Sequence, residues 1–403
     1  MPKPKLLVVC HANLGTSLSG GDRIFLNLIK YWQPYFEITA LASPEAKRLI
    51  LRNKLSLNII TTTSLPTVTK LSTFHLILHH TLRFITSKTF CLTHWQLFKK
   101  FQYIYTSSDF YGDFTFGVFA KIFNPQIKWL CGYYLLAPFP TDPNSPYLTN
   151  RHPFRGLIYY LAQRPTVFIA RLIADYIFVT SKPDINVFEN NRLTKNKIII
   201  VQGGVTIPSS KIISSLPPVS KRPYDGFYLG RLHNQKGVME MIEIWSKVTK
   251  KLPKARLVIV GDGELMGRMT SRIKELKLSK NIKVIGFLVG PKKFTLIKNS
   301  KVVLHPATYD SGGMAAAEAM AWGLPGVSFD LPALKTYYPK GMVKVPLPNI
   351  DKFADAVVKL LTDQEFYKKH SLDARALTIE NWNWKTRFEN IYQAVINQPS
   401  LRA

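Results

Sequence analysis

The chain has 403 residues, 46% of them hydrophobic and 20% charged, which suits two globular domains and excludes a disordered or repeat-built protein. Fifty-four Lys and Arg against 25 Asp and Glu give a formal charge of +29, which favours polyanionic partners such as nucleic acid, anionic lipid or phosphorylated substrates. The three scattered cysteines, Cys10, Cys91 and Cys131, argue against a disulfide framework, and the apolar stretch 129–140 falls far short of the roughly 18–20 residues that span a bilayer.

The predicted elements alternate between strand and helix. Apolar runs at 6–10, 37–41, 103–106, 127–130 and 176–180 predict buried parallel strands. The basic start before 6–10 has too short an apolar run behind it for a signal peptide, so the run reads as a first strand. A loop over 13–21 follows it and ends in Gly20 and Gly21, before an amphipathic helix over 22–32 with Asp22 near its start. Composition shifts at 181–225, and the Ser- and Pro-rich 209–220 predicts a linker. The alternation restarts with a strand at 227–229, a helix at 237–250 and a strand at 256–260. The turn Gly261-Asp262-Gly263 leads into a helix from 264, and strands near 283–285 and 302–304 precede a helix over 313–322. The class is α/β, with domains at 1–180 and 226–370, a linker at 181–225 and a C-terminal helix at 371–403. Two such units place a ligand cleft outside the carboxyl ends of their strands.

Two segments carry the chemistry. Arg231 and Lys236 stand five residues apart in the turn Gly230–Gly237, where fixed cations stabilise charge building on a departing diphosphate. In 310–321, Asp310 precedes Gly312 and Gly313, which let backbone approach a ligand, and helix amides that can hold phosphate. Glu318 sits in an alanine-rich helix and suits a ribose diol, which offers two donors to one carboxylate. No D-x-D pair and no Cys/His cluster is present, so no metal and no cofactor is expected.

These segments resemble those of retaining glycosyltransferase family 4, the group 1 glycosyltransferases with a GT-B fold. The resemblance runs through Tyr228-Leu229-Gly230-Arg231-Leu232, Lys236-Gly237, Val260-Gly261-Asp262-Gly263, Gly286-Phe287, His305-Pro306 and Glu318 to Pro325, covering about 225–335. It implies two Rossmann-like doubly wound domains facing a central cleft, with the C-terminal segment crossing back to the first domain and carrying Trp382, Trp384 and Phe388. It implies transfer of a hexosyl group from a nucleotide-sugar to a hydroxyl, with anomeric configuration retained and without metal. Arg231 and Lys236 then grip the diphosphate, Glu318 takes the ribose, and Asp310 with Gly312, Gly313 and Met314 meets sugar and phosphates. Phe287 and Leu288 lie where the family holds the base, with Gly230 and Gly263 in the donor turns and Gly20 and Gly21 on the N-domain side.

Three departures stand out. Asp310 replaces the family's first glutamate, Gly203-Gly204-Val205-Thr206 replaces Asn-Gly-Val-Asp, and the strand end Trp129–Tyr134 lacks the usual histidine. His11, after the first strand, is the candidate to act in that histidine's place. Residues 46–108 hold nine Lys and Arg and no acid, and aromatics interleave with cations over 71–100 and 133–171. That pattern suits a peripheral, anionic membrane surface on the cytoplasmic side and a glycan or lipid-phosphate-linked acceptor. Two other readings stay open: a catalytically silent GT-B protein that binds nucleotide-sugar only, and a basic nucleic-acid-binding protein, for which no helix-turn-helix, zinc-finger or RNP-like signature appears.

Overall fold

A computed structural model of the chain describes all residues except 1, 14–18, 66–72, 140, 142–152, 190–197, 289, 311–312 and 398–403. It divides into two units, one of residues 1–140, 153–203 and 384–403, the other of 141–152 and 204–383.

The first unit is built on seven parallel strands: β1 (Lys5–Cys10), β2 (Glu37–Ala42), β3 (Asn58–Thr61), β4 (Tyr103–Thr106), β5 (Lys128–Tyr133), β6 (Tyr176–Val179) and β7 (Ile198–Ile200). Their order is β3-β2-β1-β4-β5-β6-β7, in register through pairs such as Val8 with Ala40 and Val8 with Tyr105. The strands are continuous apolar runs because helices cover both faces. Leu6, Val8 and Cys10 join one core with Trp32, while Leu7 and Val9 join another with Trp129 on the opposite face. The helix Gly20–Trp32 starts at a capping box made by Ser19 and Asp22, two residues earlier than its apolar period predicts.

Three helices cover the Trp129 face: Thr73–Thr93, Tyr111–Phe123 and Pro153–Ile173. Phe84 meets Tyr111 at 5.5 Å and Phe90 meets Phe116 at 5.7 Å, while the Tyr111 hydroxyl donates to the Ala162 carbonyl at 2.9 Å. Gly117 is required here, since a Cβ on it would lie 2.0 Å from the Trp129 ring.

The second unit has six parallel strands: β8 (Tyr224–Leu229), β9 (Leu257–Val260), β10 (Ile282–Gly286), β11 (Ser300–His305), β12 (Gly326–Phe329) and β13 (Met342–Val345), ordered β10-β9-β8-β11-β12-β13. Strand order reverses at β1/β4 in one unit and at β8/β11 in the other, the switch points at which doubly wound sheets take ligands.

Several boundaries differ from the sequence reading. Residues 182–200, expected within the linker, hold the helix Lys182–Phe188 and edge strand β7, both in the first unit. The segment 371–403 is not one helix. Gln364–Asn381 ends in the second unit, where Trp382 stacks on Tyr338 at 5.4 Å, and a new helix, Trp384–Ile396, returns to the first. Trp382 therefore anchors the second unit, and only Trp384 and Phe388 of the expected trio join the first. Among the described residues no helix is long and apolar enough to cross a membrane.

Candidate active site

The second unit brings two distant loops together at its switch point. After β8, the turn from Gly230 to Gly237 is tied to the β9 turn by Leu232 N–H donating to the Asp262 carbonyl at 2.9 Å and Leu265 N–H donating to that of Leu232 at 3.1 Å. It is tied to the loop after β11 by Thr308 N–H donating to the Gln235 carbonyl at 3.1 Å. Gly237 makes that approach possible: its φ is +64°, and a Cβ would stand 1.7 Å from the Pro306 oxygen.

Charged groups meet where the loops meet. Lys236 Nζ lies 2.8 Å from Asp310 Oδ2, and His305 Nε2, at the end of β11, lies 3.0 Å from the same oxygen. The Gly313 amide donates to Asp310 Oδ1 at 3.1 Å. Burial would raise the Asp310 carboxyl, but Lys236 and His305 outweigh it and hold it well below the usual carboxylate range. Asp310 is thus a fixed anion, 5% exposed at its side chain, and Lys236 keeps 23% exposure towards solvent. Arg231 is exposed on the same turn.

Behind these groups, buried Tyr338 sets the start of the helix Met314–Met320. Its hydroxyl donates to the Gly313 carbonyl and accepts from the Ala317 amide at 3.1 Å. Gly313 has φ +46°, and its ideal Cβ position is 2.9 Å from the Tyr338 ring. Glu318, on that helix, is 8% exposed and pairs with Lys293 of the helix Pro291–Lys298.

Of the expected site residues, Gly230, Arg231, Lys236, Asp310, Gly313, Met314 and Glu318 all lie on the loops and helix that follow β8 and β11. Gly263 lies in the β9 turn stitched to Leu232, and Phe287, at the end of β10, is 70% exposed beside half-buried Leu288. Gly312 lies outside the described residues. In the first unit, Gly20 is exposed at the start of its helix, and a Cβ on Gly21 would lie 3.5 Å from the Tyr134 ring.

His11 is the correction. Its ring is fully buried, with Nδ1 2.6 Å from Thr62 Oγ1 and Nε2 2.9 Å from the Arg83 carbonyl. Burial pushes its pKa down to about 4. Both ring nitrogens are engaged by the scaffold, so His11 is a neutral structural residue and not an available acid or base. Lys293, His305 and Tyr338 were not singled out as site residues. His305-Pro306 formed part of the family resemblance, whereas Lys293 and Tyr338 carry no spacing signal.

Residues 216–376 match the family model for glycosyl transferases group 1. An uncharacterized glycosyltransferase of Methanocaldococcus jannaschii is 27% identical over 237 residues, covering 49% of this chain and 58% of that protein. The poly(glycerol-phosphate) alpha-glucosyltransferase of Bacillus subtilis is 22% identical over 251 residues, covering 59% of this chain and 36% of that protein. The chain thus spans less than the full length of both relatives, 58% and 36% of them. Among solved structures, Anabaena HepE in complex with UDP and glucose is similar with a TM-score of 0.67 at 16% identity, over 98% of this chain and 100% of that one. Sucrose-phosphate synthase from Thermosynechococcus elongatus gives 0.68 at 17% identity, over 98% of both chains. The chain has a GT-B-type α/β fold, and its second unit carries the match to group 1 glycosyltransferases.

Proposed function

We propose that this protein transfers a hexosyl group from a nucleotide-sugar to an acceptor hydroxyl, with retention of anomeric configuration and without a metal. The observation that carries this reading is the Lys236–Asp310–His305 cluster at the β8/β11 switch point, inside the segment that matches the family. As the bond between the anomeric carbon and the diphosphate oxygen breaks, the electron pair and negative charge pass to the phosphate. Lys236 and Arg231 stabilise that charge most in the transition state. Lys236 exchanges Asp310 for the phosphate, which turns the Asp310 carboxylate towards sugar hydroxyls, and Glu318 accepts from the ribose. The acceptor hydroxyl adds to the anomeric carbon on the face the diphosphate leaves, and its proton departs with the phosphate or to water. UDP and glucose bound to HepE make a UDP-sugar the first donor to try.

The acceptor reading rests on the three-helix face of the first unit. Phe74, Ile77, Ile85 and Leu92 on Thr73–Thr93, and Phe154, Leu161, Phe168 and Leu172 on Pro153–Ile173, are exposed. Neither helix contains an acid. An apolar face without acids, on a chain of charge +29, suits a cytoplasmic anionic membrane surface that carries a lipid-phosphate-linked or glycan acceptor.

Calorimetry with UDP, GDP and UDP-glucose on wild type and Lys236→Ala tests the donor site. Saturable binding lost in the variant supports it, and no binding to any of them sinks it. Turnover of a bound sugar then separates an enzyme from a silent binder, and NMR of the product anomer decides retention. For the membrane reading, wild type co-sediments with vesicles containing phosphatidylglycerol and Leu161→Glu/Phe168→Glu does not. Equal recovery on neutral vesicles, or no effect of the double variant, rejects it.

A further inference from the structure

One oxygen of Asp310 has two nitrogens on it. Lys236 Nζ stands 2.8 Å from Oδ2 and His305 Nε2 stands 3.0 Å from it. In the proposed transfer Lys236 moves to the diphosphate, which leaves His305 without a role. The two groups differ in freedom. Lys236 lies on a turn with 23% of its side chain in solvent, whereas the His305 side chain is 7% exposed on the last residue of β11. That strand pairs with β8 on one side and β12 on the other, where His305 registers with Ser328. The Tyr338 ring meets the imidazole edge-on at 6.4 Å. Lys236 is thus able to swing away while His305 stays.

The swing has an electrostatic cost. The Asp310 side chain is 5% exposed, and taking one partner from a buried ion pair is strongly destabilising in general. An imidazole already on the oxygen that Lys236 leaves can offset this by taking up a proton, because histidine is the side chain whose ordinary charge change falls between pH 5 and 8. An ammonium departing and a diphosphate arriving both favour the charged ring.

We infer that His305 is a positioning residue that succeeds Lys236 as the counter-ion of Asp310, so that binding of a nucleotide-sugar is coupled to uptake of a proton. This rests on the nucleotide-sugar reading of the second unit. The proton comes from the buffer. The neutral imidazole becomes imidazolium, with an N–H on each ring nitrogen, and Nε2–H donates to Asp310 Oδ2 while Lys236 Nζ donates to a phosphate oxygen. His305 then sets how far the carboxylate turns towards the sugar hydroxyls. The bound state holds the extra proton, so donor affinity rises as pH falls.

Other groups around β11 are accounted for as follows. The β8 side brings Tyr228, with Arg231 and Lys236 on the turn after it, and the helix Met314–Met320 brings Glu318, paired with Lys293. The helix Ile350–Thr362 buries Phe353, Ala354, Val357 and Leu360, and β12 carries no titratable side chain. Burial pushes the Tyr228 and Tyr338 hydroxyls up, and at Asp310 burial is outweighed by Lys236 and His305, so none of these three changes charge near neutrality. His233, a second imidazole on these loops, lies 3.4 Å from Glu264 and serves as the control.

The test is calorimetry of UDP-glucose and GDP-mannose between pH 6 and 8, in buffers of low and high ionisation enthalpy, on wild type, His305→Gln, His305→Leu and His233→Gln. The diphosphate of a nucleotide-sugar does not itself titrate in that range. Hydrogen exchange over 300–305 and 313–320 reports folding in each variant. Wild type should bind with net proton uptake and about tenfold more tightly at pH 6 than at pH 8, the change that a shift of one pH unit in a single group supplies. His305→Gln keeps an N–H but cannot titrate; it should lose the uptake and the pH dependence and bind about tenfold more weakly than wild type at pH 6. His305→Leu should lose the uptake as well, and His233→Gln should keep it. Uptake that survives in His305→Gln, or that vanishes in His233→Gln, overturns the inference. Where His305→Leu loses exchange protection, His305→Gln and His305→Asn decide on the same readouts. A wild type that binds neither nucleotide-sugar at any pH defeats the nucleotide-sugar reading and this one with it, whereas wild-type binding without proton uptake defeats this inference alone.

Discussion

Apart from the interior ion pair Arg83–Glu45 of the first unit, polar side chains near the strand ends are held in different ways in the two units. In the first, His11 lies between Thr62 and the Arg83 carbonyl, and Asp113 accepts from the Ala12 amide at 2.7 Å and from Ser107 and Ser108. These partners are backbone groups and neutral hydroxyls. Burial pushes His11 down to about 4 and Asp113 up to about 6, so each is biased towards its uncharged form. In the second, the carboxylates of the segment after β11 are held by lysines, Asp310 by the part-exposed Lys236 and Glu318 by Lys293. A group held by backbone lets go only when the segment opens. A cation held by a carboxylate can exchange it for an incoming anion. Burial and a displaced pKa therefore do not by themselves mark a functional residue, and the exchangeability of the partner is the better guide.

The sharpest way to break this contrast is to remove one residue from each side. Lys236→Ala should cut turnover about 10²–10³-fold with folding intact, in line with the loss of one oxyanion-stabilising group. His11→Gln should leave turnover near wild type in the same steady-state assay. Equal losses in the two variants would erase the distinction.

A second probe asks whether the exchangeable pair depends on the stitched loops. Gly237→Ala should destabilise the second unit by about 3 kcal/mol, from the left-handed φ and the collision with the Pro306 carbonyl. Hydrogen exchange should speed up at 230–237 and 306–310 while the first unit keeps its protection. Unchanged exchange there would show that the loops are not coupled.

The smallest effect is a pH dependence that belongs to the first unit. His11 titrates at about 4 in the fold against 6.5 in the unfolded chain. Below 6.5 the unfolded chain binds the proton first, so the stability that neutral His11 contributes is present above 6.5 and is lost as pH falls towards 4. Between pH 7 and 5 the loss is about 2 kcal/mol. Asp113 works in the opposite direction: its raised pKa means that protonation near 6 favours the fold. The wild-type-minus-His11→Gln difference isolates the histidine, and it should show in exchange of the first unit and not of the second. A difference independent of pH would show that His11 does not titrate this way.

The central strands were legible because a parallel strand covered on both faces is an uninterrupted apolar run, as in the fully buried Leu257–Val260. Of the edge strands only β10 was read, near 283–285, and the short central β12, Gly326–Phe329, was missed along with β3, β7 and β13. Asn58–Thr61 is half exposed and polar at both ends, and Met342–Val345 carries a lysine. At the site, the Lys236–Asp310 meeting joins residues 74 apart, yet each stood in a segment dense enough to be singled out. Lys293 stood in no such segment, and only the return of the helix after β10 brings it to Glu318. The basic and aromatic stretch 71–100 proved to be two things. His80 stacks on Phe110 at 4.6 Å and Arg83 pairs with Glu45 in the interior, while Phe74 and Ile77 face outward. Composition could not sort them, since facing is decided by the helix Tyr111–Phe123 lying underneath.

The helix Trp384–Ile396 has a consequence for how the protein is made. Trp32 Nε1 donates to the Phe388 carbonyl, 356 residues further along, and Tyr35 stacks on Tyr392 at 4.2 Å. During synthesis the ribosome delivers Trp32 first and Phe388 roughly 20–70 seconds later, at about 5–20 residues per second. Through that interval the face of Trp32 and Phe36 that Phe388, Ile391 and Val395 will cover stays open. The second unit, built from residues 204–383, can close within the wait. The first unit, although it begins the chain, is thus completed only once Trp384–Ile396 has been made.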